Sequence, residues 1–315
     1  MNETSKIYAG ILGLVIGDAV GVPVEFEPRD TFKVTDMTGY GTFNMPPGTW
    51  SDDSSLTLAT VESIARLGRV DAEDIMNNFY RWVGENAFTP YGMAFDIGRT
   101  TLNAIQRYAG GLPAAECGGK GDRDNGNGSL MRILPLAFTD CRYKTVDAVS
   151  ALTHAHEKSL EACRIYISVA RKLLRGKPLD SVVKSIKTEL PAYERLPVLE
   201  TLSREEIKSS GYVADTLEAA LWCNLKSKSY RECVLLAVNL GEDTDTVAAV
   251  AGGLAGIIYG IGEEKGIPQN WIDRTARIDW IKELCGKFEE AIERKQSLYE
   301  GLGKDEEPVN GGHHE

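Results

Sequence analysis

Strand-like alternation of apolar and polar residues is almost absent from this 315-residue chain, which leaves a β-sheet little to build on. Basic residues are in deficit. Thirty-five Lys and Arg against 46 Asp and Glu leave a net charge of −11 and a pI near 5.1, which argues against the basic surface that nonspecific nucleic-acid binding requires. The six cysteines, at 117, 141, 163, 223, 233 and 285, form no C-x-x-C pair, so they read as reduced thiols of a cytoplasmic protein rather than a disulfide framework. No low-complexity linker divides the chain and no solenoid period recurs.

Long apolar runs are missing too, with one exception. Tyr8 to Phe26 imitates a signal peptide, but it contains Asp18 and Glu25 and follows a scarcely basic N-terminus. Neither a secretory signal nor a membrane span is expected there, and no other stretch approaches the roughly twenty apolar residues that a spanning helix needs.

What is present is helical periodicity, around 55–67, 71–84, 93–109, 145–152, 157–175, 178–189, 213–225, 230–239, 244–260 and 274–298. With 43% apolar residues, this predicts an all-α fold with a substantial core, organised as one domain over 1–303 and followed by a polar, disordered tail at 304–315. The stretches 27–50, 111–128 and 190–211 are long and rich in Gly and Pro, and such loops on a helical scaffold usually line a site.

Two acidic clusters stand far apart in the chain: Ser51-Asp52-Asp53 and Asp243-Thr244-Asp245-Thr246. Each opens a helical pattern. Alone, either reads as a helix cap, because Asp and Ser accept bonds from unpaired backbone N–H groups and favour the positive end of the helix dipole. Together they pair carboxylates with hydroxyls twice over, with no His or Cys beside them, and that donor set suits hard cations such as Mg²⁺ or Mn²⁺. The second cluster leads into a helix with Ala or Gly at 248, 249, 251, 252, 253, 255 and 256, a composition suited to a central helix packed on all sides.

The run Asp124-Asn125-Gly126-Asn127-Gly128-Ser129 is neither a Walker loop nor an EF-hand, yet its glycines permit close backbone approach and its N–H groups suit a phosphate. Of the four histidines, His154 and His156 lack the i, i+4 spacing of a helical zinc pair. One near a substrate and one exposed is the expectation; a capping or core histidine is the plain alternative for each.

These segments are recognisable as a set. Gly17–Phe26, Ser51-Asp52-Asp53, Asp124–Ser129, Leu152-Thr153-His154, Gly211–Glu218 and Asn239–Gly252 occur in an order and separation that resemble the ADP-ribosylglycohydrolase family, most closely its dinitrogenase-reductase-activating and arginine-directed branch. The resemblance implies an all-α fold with two Mg²⁺ or Mn²⁺ ions, ligated by Ser51, Asp52, Asp53, Asp243, Asp245 and Thr246. Ser51 stands where the family usually has Thr. It further implies that Asn127, Gly128, Ser129, His154, Gly211 and Tyr212 bind substrate, and that Asp53, Glu25 or Asp124 serves as the catalytic carboxylate. The implied reaction is hydrolysis of the N-glycosidic bond of ADP-ribosyl-arginine on a modified protein, releasing ADP-ribose. Serine-linked ADP-ribose, a small ADP-ribosyl metabolite, a two-metal phosphoesterase reaction and a non-catalytic ADP-ribose binder are the competing readings.

Overall fold

The computed structural model describes residues 5–262 and 264–302; the expected tail at 304–315 lies outside the described residues. Twelve α-helices occur among them: α1 (Lys6–Gly21), α2 (Asp52–Leu67), α3 (Ala72–Glu85), α4 (Arg99–Ala109), α5 (Tyr143–Ser150), α6 (Glu157–Leu174), α7 (Leu179–Lys184), α8 (Val213–Lys226), α9 (Tyr230–Val238), α10 (Thr244–Tyr259), α11 (Gln269–Arg274) and α12 (Ile278–Leu302). Short 3-10 turns punctuate the long loops, and β-structure among the described residues is confined to isolated bridges.

The all-α expectation holds, with instructive differences at its edges. Helix α1 has no apolar stripe because it is apolar nearly all round, and all its residues except Lys6 and Ile7 are buried. It is long and apolar enough to cross a membrane, yet 89% of that window lies inside the fold. Residues 93–98, expected to begin a helix, instead finish the loop between α3 and α4, and Asp96 there adopts a left-handed φ of 56°. The 274–298 pattern also starts late, at Ile278, after the separate α11.

Helices α1 and α10 form the centre, and glycine makes their contact possible. A Cβ on Gly13 would lie 2.5 Å from the Gly252 carbonyl oxygen, while one on Gly17 would strike the backbone of Ala248 and one on Gly21 that of Asp245. The two backbones therefore touch directly. Around α10 pack α1, α6, α8 and α9, and side chains of α6 and α8 bond its backbone: Tyr166 Oη donates to Val250 O at 2.9 Å and Asn224 Nδ2 to Ala251 O at 3.0 Å. The small residues of α10 thus allow close approach on every side, as its composition predicts.

This arrangement aims two helix N-termini at one place. Ser51 is the N-cap of α2 and Asp243 that of α10. The Thr244 hydroxyl donates to Gly21 O at 2.8 Å, locking the start of α10 onto the end of α1.

Candidate active site

From the end of α1, Asp18 reaches across to α2. Its carboxylate accepts the Ser51 amide at 2.9 and 3.0 Å, the Ser54 amide at 3.0 Å and the Ser54 hydroxyl at 2.5 Å. Burial pushes this carboxyl up to about 7, opposed by those same hydrogen bonds. With its lone pairs so engaged, Asp18 anchors the α2 N-terminus, although its oxygens lie within 4.8 Å of ligand atoms of Asp53 and Asp245.

The two acidic clusters meet. The Ser51 and Thr246 hydroxyls donate to Asp53 Oδ2 at 3.1 and 3.3 Å, joining α2 to α10 across 193 residues of chain. Carboxylate oxygens of Glu25, Asp243 and Asp245 also fall within 4.8 Å of one another, so Asp245 belongs to both acidic groups. Asp52, Asp53 and Asp245 are all buried. Burial, then mutual repulsion, holds these three carboxyls well above the usual range, and Glu25 is pushed up to about 10 by burial first and by Asp96, Asp243 and Asp53 after it.

The donor chemistry fits hard cations. Among the described residues, four buried carboxylate oxygens have no hydrogen-bond partner: Glu25 Oε2, Asp53 Oδ1, Asp243 Oδ1 and Asp245 Oδ2. Unsatisfied buried acceptors of one sign, gathered in one spot, need protons or cations between them. The cluster can hold metal through oxygen ligands alone.

Part of this cluster, Glu25 and Asp243, faces a cavity of about 450 Å³, within the usual range for a small-molecule site, while Asp53 and Asp245 are fully buried. Glu25, Asp52, Asp96, Asp243 and Thr246 line its acidic end. Loops are stitched together to shape it: Phe26 N donates to Glu242 O at 2.7 Å, Asp243 N to Ser209 O at 3.1 Å, and Asn127 N to Gly211 O at 3.1 Å. Asn127 Nδ2 reaches Asp243 Oδ2 at 2.9 Å, linking the glycine-rich loop to the acidic end. The same cavity is lined by Gly126, Gly128, His154, Arg123 and the first turn of α4, with Arg99 and Thr101. That turn has no side-chain cap, so its N–H groups and the two arginines supply positive potential.

Not every expected site residue lines this space. Asp124 turns away and accepts the Gly121 amide at 3.0 Å, capping its own turn. Ser129 is buried beneath the loop, accepting from Ser150 at 2.9 Å, and Tyr212 caps α8 beside Gly126. Conversely, Asp96 lies outside every motif of the sequence, and Asp18 stands there as a charge interrupting an apolar run and as part of the Gly17–Phe26 stretch, with no site role assigned. Asp18 carried a usable signal, a carboxylate inside an otherwise apolar helix. A lone Asp in the Met93–Ile97 stretch carried none, because only the loop path brings Asp96 against Glu25 and Asp245.

Comparison with known proteins agrees with this geometry. The model of the family described as ADP-ribosylglycohydrolase matches residues 1–298. An ADP-ribosylarginine hydrolase Tri1 of Serratia proteamaculans is 34% identical over 292 residues, 90% of this chain and 79% of that protein. An ADP-ribosyl-[dinitrogen reductase] glycohydrolase of Rhodospirillum rubrum is 30% identical, covering 85% of this chain and 90% of its own. A solved structure titled ADP-ribosylglycohydrolase-related protein complex superposes with a TM-score of 0.76 at 32% identity, over 92% of this chain and 98% of that one.

Proposed function

Since the chain belongs to the ADP-ribosylglycohydrolase family and is an enzyme of that class, we propose that it cleaves the N-glycosidic bond between ADP-ribose and arginine on a modified protein. The observation that carries this reading is the meeting, in one cavity, of carboxylates of the acidic cluster, Glu25 and Asp243 with unpartnered oxygens among them, with glycines and donor groups. Such a cavity offers both acidic and donor groups to one ligand. A diphosphate fits the donor wall, and the ribose that carries the scissile bond fits the acidic end. The acidic pair Glu25 and Asp96 at that end suits a cationic guanidinium acceptor, in agreement with the arginine named for the Serratia relative.

Asp52, Asp53, Asp243, Asp245, Ser51 and Thr246 are the residues that would hold two Mg²⁺ or Mn²⁺ ions. When bound, such cations supply Lewis acidity toward the ribose hydroxyls and offset the carboxylate repulsion. The chain's own residues do the rest. Breaking the bond from the anomeric carbon to the guanidino nitrogen develops oxocarbenium character on the ribose, and a water oxygen adds to that carbon. The water gives up one proton and the departing nitrogen gains one. We assign this proton handling to Glu25 and Asp96, which contact each other at the cavity and are both held above the usual carboxyl range, chiefly by burial.

Arginine-linked and serine-linked ADP-ribosyl peptides, incubated with Mg²⁺, Mn²⁺ or chelator and analysed by mass, test the reading. Intact ADP-ribose released from the arginine peptide is expected. AMP instead would point to a phosphoesterase, and turnover of the serine peptide alone would reassign the acceptor. Asp96→Asn is expected to lower kcat by about 10²–10⁴-fold with ADP-ribose affinity retained.

A further inference from the structure

Arg132 is fully buried yet has no carboxylate partner among the described residues. Its guanidinium donates to Val149 O twice, both at 3.2 Å, and to Thr153 Oγ1 at 2.8 Å, and it lies 4.5 Å from the centre of the Phe79 ring. An unpaired buried cation is costly to keep, so its destination matters. Thr153 Oγ1 in turn stands 2.8 Å from His154 Nδ1.

The chemistry of that chain admits one efficient solution. Arginine only donates, so the Thr153 oxygen accepts from Arg132, and the one hydroxyl proton must go elsewhere. Among the described residues the acceptor within reach is His154 Nδ1; if Nδ1 carried its own hydrogen, the buried hydroxyl proton would have no partner. The imidazole therefore keeps its lone pair at Nδ1 and its hydrogen at Nε2. That second nitrogen points to the cavity: a Cβ on Gly126 would lie 3.5 Å from Nε2, and one on Gly128 would lie 2.8 Å from Cε1.

We propose that Arg132 is a positioning residue that acts through Thr153 to fix His154 as the Nε2–H tautomer, a single oriented donor for an oxygen of the bound ADP-ribosyl group. The identity of the acceptor oxygen rests on the proposed function; the tautomer does not. Burial and the nearby Arg132 charge both push the imidazole down, to about 3, which keeps the donor neutral. A neutral donor with its other nitrogen tied holds one orientation, whereas a free imidazole would divide between two tautomers and two ring flips.

Long-range ¹H–¹⁵N correlation spectra of the labelled full chain with Mg²⁺ read the tautomer directly, with His154→Gln supplying the assignment. The expected pattern for His154 is a protonated Nε2 and an unprotonated Nδ1 at neutral pH. Thr153→Val should mix the tautomers and weaken ADP-ribose binding about tenfold with kcat less affected, and Thr153→Ser should restore both. A protonated Nδ1 in the unsubstituted protein would overturn the proposal without need of any variant. A folded Thr153→Val protein with unchanged tautomer, or with changed tautomer and unchanged affinity, would overturn the positioning role. If the tautomer is as expected but the unsubstituted protein does not bind ADP-ribose, the relay stands and the functional reading fails.

Discussion

At the acidic end of the cavity, two helix N-termini braced by α1 hold carboxylates whose free atoms are all acceptors. The opposite wall is loop and first-turn backbone, and there the available groups are donors: Arg99, Arg123, the uncapped turn of α4 and His154. The acidic end is electrostatically incomplete; the donor wall has an uncapped helix turn and is shaped by missing side chains at Gly126 and Gly128. An acceptor-only site waits for cations, and a donor-only wall waits for an anion. The contrast teaches that the cavity is organised for a ligand whose two ends have different charge requirements.

The sharpest way to break this comparison is at the acidic end. Asp52→Ala and Asp245→Ala are each expected to lower turnover by at least about 10³-fold while leaving a folded helical protein, because on the proposed reading each would remove a ligand from a shared centre. As simple caps they would cost only about 0.5–2 kcal/mol of stability. The double variant should be no worse than either single one. Near-normal rates with two bound metals per chain in either single variant would sink the assignment.

Next in size is the effect of ion removal. Chelation should abolish activity, Mg²⁺ or Mn²⁺ but not Zn²⁺ alone should restore it, and thermal melts should show about 2.7 kcal/mol of stabilisation per bound ion at a hundredfold excess over Kd. Full activity in rigorously metal-free protein would refute the acceptor-only interpretation.

On the donor wall, Gly128→Val should weaken ADP-ribose binding by about 10–100-fold in calorimetry, because its Cβ would press on His154 and Thr101, each 2.8 Å away. The acidic end should retain its metal content. Unchanged affinity in the folded variant would mean that the ligand does not approach this loop.

The effect most distant from catalysis is a pH slope in stability. His154 is depressed to about 3 by burial first and Arg132 second, with Asp124 opposing, so the unfolded chain binds a proton there that the folded chain refuses. The related stability is present above about pH 6.5 and is lost as pH falls toward 3, at up to about 1.4 kcal/mol per unit. Denaturant titrations should show a shallower acid slope in His154→Gln than in the unsubstituted protein; identical slopes would place the histidine in water.

Much of the framework was legible because it depends on local periodicity. Helices α2, α6, α8, α9 and α10 fall close to their apolar patterns, and Ser51 and Asp243 stand at the helix starts that their residue types favour. Helix α1 was illegible as a helix for the opposite reason: with every face apolar, it has no period to read. The loop at 93–98 failed in a third way, since an apolar stretch ahead of α4 mimics an additional helical turn until Asp96 takes a left-handed backbone.

The sequence by itself determined the ingredients: an all-α chain, two hydroxyl-and-carboxylate clusters at helix starts with no Cys or His beside them, which leaves oxygen as the donor set, and a glycine-rich loop. Only the tertiary structure decided which carboxylates share a site. It joined Asp53 to Thr246, brought Asp96 to Glu25, and turned Asp124 away to the Gly121 amide. The physical reason is range. A helix cap or a turn is settled by a few neighbouring residues, whereas the meeting of these carboxylates depends on how closely α1 and α10 pack, and that closeness is set by glycines more than two hundred residues apart.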